Sequence, residues 1–193
     1  MCRRLTPLAL MAVLTGLISA CSSPPSTAAG ESAARQARHA VAVTYWQLFN
    51  SLPGAALRTD GFGRFVSCGN STSNSVQYGI EDAIDSPSSG QALSGFTALV
   101  LKRFAAAGWN LHAAGENQAG QAVYSAKRNS TTVMLRVFGS SRPGGAFTVQ
   151  GACVSAGSAA STILNAYGGS GADRYPEPEA SASPIPASLT PSS

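Results

Sequence analysis

Charge is what this chain has least of. Asp, Glu, Lys and Arg make up 11% of its 193 residues, against about a quarter in an ordinary soluble domain, and the deficit is filled by Ala, Ser, Gly and Pro. That excludes a coiled coil, a charged disordered tail and a strongly electrostatic nucleic-acid binder, and no nucleic-acid partner is expected. Only Lys102 and Lys127 among the 13 basic residues are lysines, an Arg-over-Lys usage typical of GC-rich genomes. The net charge of +4 overstates the folded part, because Arg3 and Arg4 fall in a leader while Asp173, Glu177 and Glu179 fall in a tail. Catalytic signatures are missing too. There is no Gly-x-Ser-x-Gly elbow, no His-Glu-x-x-His, no Walker loop and no Gly-x-Gly-x-x-Gly; Gly61-Phe62-Gly63 is too short to cradle a phosphate. A metal site lacks ligands, since there is no Cys-x-x-Cys, and His39 and His112 stand on different elements. No cofactor and no metal are expected, and no internal repeat is visible.

What is present begins at the N-terminus. Arg3 and Arg4 form a short positive segment, and Leu8 to Ile18 is an uncharged, mostly apolar run. Eleven residues are too few to cross a bilayer core of about 30 Å and suit the apolar part of a signal peptide. The run ends Leu17-Ile18-Ser19-Ala20-Cys21. In Ile18, Ser19, Ala20 and Cys21 the chain resembles the bacterial lipoproteins, whose lipobox is an aliphatic residue, a small or aliphatic one, a small one and then cysteine. An actinobacterial-type envelope lipoprotein fits the composition. The resemblance implies diacylglyceryl transfer to the Cys21 thiol, cleavage between Ala20 and Cys21, palmitate-type acylation and a lipid-anchored protein on the extracytoplasmic face of the cell membrane. Two acyl chains meet the rule that stable anchoring takes more than one hydrophobic signal. An ordinary secretory leader with a chance cysteine is the bland alternative, and the adjacent arginines leave the twin-arginine export route open beside the general one.

Residues 21–30 continue as Ser-Ser-Pro-Pro-Ser-Thr-Ala-Ala-Gly after Cys21. With no bulky apolar side chain they read as a lipidated flexible tether. Residues 168–193 hold five of the eleven prolines and, of aliphatic side chains larger than alanine, only Ile185 and Leu189. Such a segment buries too little surface to offset its ordering entropy, so a disordered tail is expected. A globular domain over 31–167 remains, long enough to bury a core unaided.

Within it, Ala34, Val41, Tyr45, Leu48 and Leu52 recur on one helical face over Glu31–Leu52, ended by Pro53-Gly54. Gln91–Ala107 repeats the period through Leu93, Phe96, Val100 and Phe104, with Ser88 or Ser89 as a cap and Gly108 just past its end. Strands are expected at Arg64–Gly69, Ser75–Glu81, Trp109–Ala113, Gln121–Lys127, Thr132–Phe138 and Ala146–Val154, and Ser158–Tyr167 could form a third, short helix. Loops this short favour antiparallel neighbours. The order implies an α+β domain with two helices packed on one face of an antiparallel sheet of about five to six strands.

With Cys2 removed and Cys21 acylated, Cys68 and Cys153 remain, and an even pair in an oxidising compartment reads as a disulfide stapling the first strand to the last. The candidate functional residues are few. Glu81, Asp82 and Asp85 form the one acidic cluster, and paired carboxylates can serve as acid and base in glycosidases; a solvated turn leading to Pro87 is the plainer account. His112 could act as a base for a nucleophile, or be structural. Trp46 and Trp109 could anchor partners or sugars, or cover the core. Lys102 with Arg103 and Lys127 with Arg128 could meet anionic lipid, wall polymer or protein, or simply end a helix and open a turn. Two functions of different class follow: a noncatalytic binding or regulatory module meeting an envelope protein or cell-wall partner, and a small envelope hydrolase using Glu81, Asp82 and Asp85, with His112.

Overall fold

The computed structural model describes residues 25–52, 61–70, 74–85, 93–138, 144–168 and 173–174; the leader, the lipobox, the Ser88/Ser89 cap and the tail beyond Arg174 lie outside them. Three helices and one antiparallel sheet make up the described part. The helices are α1 (Thr27–Ser51), α2 (Leu93–Ala106) and α3 (Ala160–Tyr167), the last entered through a 3-10 turn at Gly157–Ala159. The strands are β1 (Phe62–Ser67), β2 (Ser75–Asp85), β3 (His112–Glu116), β4 (Ala122–Arg128), β5 (Thr131–Val137), β6 (Gly144–Ser155) and β7 (Asp173–Arg174). Their order across the sheet is β3-β4-β5-β6-β2-β1-β7, and every neighbouring pair is antiparallel. The meander β3 to β6 is the product of short loops, and β6 closes it against the β1–β2 hairpin.

The core follows from the two periodicities. The expected stripe of α1 is buried throughout, and so are Phe96, Val100 and Phe104 of α2. They lie on the inward set of each strand, Val76, Tyr78, Ile80 and Ile84 of β2, Val133, Leu135 and Val137 of β5, Phe147 and Val149 of β6. Tyr45 stacks on Phe147 with centroids 5.5 Å apart, and Phe104 meets the same ring edge-on. Gly108, at φ +86°, ends α2 in the left-handed conformation that only glycine adopts cheaply. Trp109 N–H then donates to Phe104 O and Gly108 N–H to Ala105 O, a Schellman closure.

Four differences from expectation bear on the fold; the ends of the other elements shift by one or two residues at most. Helix α1 starts at Thr27, capped by Ser26 Oγ accepting from Ala29 N–H, so the segment read as tether to Gly30 enters the fold. Gly30 is buried against Ala156, so close to its carbonyl oxygen that a Cβ would not fit. Strand β2 runs on to Asp85, and β3 begins at His112 rather than Trp109. The sheet has seven strands, because Asp173–Arg174, assigned to the tail, pairs with Gly63 and Phe62 of β1. The tail strand is fastened by side chains that local periodicity does not reveal. Arg38 Nε on α1 and Tyr78 Oη on β2 both donate to Asp173 Oδ2, at 2.6 and 2.7 Å. At the opposite edge β3 is short and exposed along its length, with a register shift between Ala113 and Gly115.

Candidate functional site

Adjacent strand residues point to opposite faces, and that alternation decides the fate of the acidic cluster. Glu81 projects from the face away from the helices and pairs with Arg136 of β5. Asp82 projects inward, is 2% exposed and accepts a hydrogen bond of 2.7 Å from Tyr45 Oη. Asp85 ends the strand opposite Gly144. The sheet therefore separates Glu81 from Asp82, and no solvated turn holds them; β2 simply continues through the positions where a turn is expected. His112 lies exposed on edge strand β3, opposite Ser125. Four strand spacings of about 4.8 Å put β3 roughly 19 Å from β2, too far for a hydrogen bond between His112 and Glu81. Among the described residues, Glu81, Asp82 and His112 therefore form no acid–base pair.

The other candidates are placed as follows. Trp46 is half-buried, edge-on to Tyr45 and Phe49. Trp109 is buried, its ring covered by the Arg128 guanidinium at 5.0 Å, while Arg128 Nη2 donates to Gly108 O. Both tryptophans thus serve the core, and Arg128 serves the α2–β3 corner. Lys102, Arg103 and Lys127 are exposed. Cys68 and Cys153 form the expected disulfide, with Cα atoms 5.9 Å apart.

The disulfide also shapes a part of the surface away from these residues. Strands β1 and β6 flank β2, so in a flat sheet they would stand about 9.6 Å apart; the bonded Cα atoms are much closer. At the same level β6 carries a bulge. Gln77 pairs with Cys153 and Gly79 with Gln150, so Gly151 and Ala152 together oppose Tyr78, and a bulge bends and twists its strand. Disulfide and bulge curl this corner of the sheet away from the helices. The concave side is a groove holding about 470 Å³ of empty space, part of it open solvent.

One wall of the groove is the outward set of β1, Phe62, Arg64 and Val66, and the other is Thr148 and Gln150 of β6. Gly79 of β2 lies between, with Gln77 and Glu81 to either side. A Cβ on Gly79 would meet Gln150 Cγ at 3.3 Å, so the bare glycine keeps the floor low. Phe62 and Val66 are 40% and 37% exposed, and with Val43 of α1 they are the large apolar side chains most open to solvent among the described residues. Arg64, between them, makes no ion pair among the described residues, whereas Glu81 is neutralised by Arg136. The groove therefore offers two apolar side chains, one available cation and the amide of Gln150, while Gln77 Nε2 already donates to Gly151 O at 2.9 Å.

A signal for it exists in the sequence. Over Phe62 to Val66 both alternating sets of β1 carry bulky apolar side chains, Phe65 inward and Phe62 and Val66 outward, where a strand with one wet face shows polar residues outward. Among the described residues no three His, Cys, Asp or Glu side chains gather as metal ligands, and no helix is long and apolar enough to cross a membrane. No protein-family model matches the chain, and neither the curated proteins nor the solved structures contain a match to it.

Proposed function

We propose that the protein is an exported lipoprotein, held by lipid on Cys21 at the extracytoplasmic face of the cell membrane, whose globular domain is a noncatalytic binding module. The observation that carries the binding role is the curled sheet face, which no described helix covers. It displays Phe62 and Val66 beside Arg64 over a glycine floor, where a sheet with no ligand to meet would present polar side chains. The anchor rests on the lipobox residues Ile18 to Cys21, and a disulfide between Cys68 and Cys153 agrees with an oxidising compartment. The dispersal of Glu81, Asp82, Asp85 and His112 favours binding over catalysis.

The test uses a photoreactive residue in place of Val66 in the groove or, as a control, Val43 on α1, which is equally open. In intact cells, irradiation should capture a discrete envelope component from position 66 and not from position 43. Equal capture from both, or turnover on wall glycan or ester substrates that Glu81→Gln abolishes, overturns the reading. Cys21→Ser in the same cells should remove the two or three acyl chains from the intact mass and release the protein from membranes.

A further inference from the structure

From the one uncommitted charge in the groove and the difference between its two walls, we infer that the ligand of this face is the carboxyl end of a peptide, with an apolar side chain at or next to its last residue. The inference rests on the reading of this face as a binding surface and names the class of ligand. Arg64 is its centre. In the sheet register Arg64 stands opposite Gly79, and Gly79 opposite Gln150, so guanidinium and amide flank the bare glycine floor. Arg64 is exposed, and neither it nor the Gln150 amide has an ion-pair or hydrogen-bond partner among the described residues. The one acid lining the groove, Glu81, is held by Arg136. The lining thus carries a single positive charge with nothing to balance it, which complements one anion and not a neutral or cationic ligand.

The walls decide which anion. Phe62 and Val66 flank Arg64 on β1, each two residues or about 7 Å away along the strand, and both are open to solvent. Across the floor the wall is Thr148 and Gln150, a hydroxyl and an amide that each donate and accept. A fatty acyl chain would press one side against that polar wall and strip water from it without replacing the hydrogen bonds, which is costly. A peptide lays its amides against Thr148 and Gln150 while it turns an apolar side chain to Phe62 or Val66. The two ends of the groove favour a chain end over a chain that runs through. The alternation that turns Val66 outward turns Cys68 outward as well, so its bond to Cys153, which stands opposite Gln77, crosses β2 at one end. The pair of Glu81 and Arg136 stands at the other. Between Gln77 and Glu81 lie about 13 Å, room for three extended residues at about 10 Å, and a chain end presents its carboxylate beside its last side chain and last amide, the three groups that Arg64, the apolar wall and the polar wall receive.

The experiment titrates N-acetyl-Ala-Ala-Leu, its C-terminal amide and decanoate into the purified exported chain, disulfide intact, and follows the backbone amide shifts of Val66, Gly79 and Gln150, with Val41 and Leu48 of α1 as silent controls. The peptide acid should bind, and amidation should weaken it about fivefold or more, the loss expected of one charge-assisted pair at a surface. Arg64→Ala should weaken the acid by a similar factor and leave the amide unchanged, so that the two losses do not add; parent-like shifts of Val41 and Leu48 verify that the variant is folded. Gln150→Ala should weaken acid and amide alike and leave decanoate unchanged. Equal binding of acid and amide, an acid indifferent to Arg64→Ala, or no binding of either peptide overturns the inference. Decanoate binding more tightly than the peptide acid also overturns it, assigning the groove to a lipid. Light-induced capture from position 66 in cells is read separately, so a failed carboxylate rule leaves the binding surface standing.

Discussion

Gly63 and Gly79 sit on neighbouring strands and face opposite sides of the sheet, and the same substitution at the two should have opposite consequences. A Cβ on Gly63 would lie 2.5 Å from Tyr78 Cζ and still closer to its hydroxyl oxygen, so the ring must move by more than an ångström. Overpacking a buried site costs about 1–3 kcal/mol. Displacing the hydroxyl also breaks its 2.7 Å bond to Asp173, worth about 1.5–3 kcal/mol where one partner is ionised. Against this stands the gain of about 0.5–1 kcal/mol from replacing a strand glycine by alanine. Gly63→Ala should therefore lose about 2–5 kcal/mol. At Gly79 the nearest atom is the Cγ of a flexible glutamine at 3.3 Å, and Gly79→Ala should stay within about 1 kcal/mol of the parent. Urea unfolding followed by circular dichroism, with the disulfide intact, measures both. In a Tyr78→Phe background the Gly63→Ala cost should shrink by about 1 kcal/mol or more, since the hydrogen bond is already gone. Equal effects at the two glycines would refute the packing described around Tyr78.

Replacing Cys68 and Cys153 together by alanine should lower stability by about 4–5 kcal/mol in the chain-entropy model for a loop closed over 85 residues, leaving the domain folded; denaturant midpoints measure the loss, and a thiol assay on the parent should find neither cysteine free. Burial, with Asp173 beside it, pushes the Tyr78 hydroxyl well above the ordinary tyrosine value. A folded-state value raised in this way contributes stability that is complete below the unfolded value, near pH 10, and is lost as pH rises above it; Tyr78→Phe should flatten the decline between about pH 9 and 11 in urea titrations.

The helices and the meander were legible because each buries one face, and a period of 3.6 or 2 in Ala34 to Leu52, Phe96 to Phe104 and Thr132 to Phe138 states which. The staple was legible from cysteine arithmetic. What local reading misses is whatever depends on a partner distant in sequence. Asp173 looks like tail until Arg38 and Tyr78 are seen to hold it, 135 and 95 residues away. Asp82 reads as a turn residue because a carboxylate in mid-strand needs a partner such as Tyr45, on a helix 37 residues earlier. Thr27 to Gly30 reads as linker because Ala and Gly carry no pattern, and only the close approach of Ala156 gives Gly30 its place. The groove itself comes from a bulge and a cross-link, and neither leaves a periodic trace.

The edges of the sheet bear on how copies of this protein behave at high density. An open strand edge is a template on which another chain can nucleate cross-molecular pairing, and long flat edges are the ones that aggregate. Here one border ends in the two residues of β7. The other ends in five-residue β3, whose register slip at Gly115 and terminal Glu116 spoil the straight row of donors and acceptors that fibril growth requires. Among the described residues, then, neither border offers a long straight edge, and copies crowded onto a surface or concentrated in solution gain little from pairing backbones through β3 or β7.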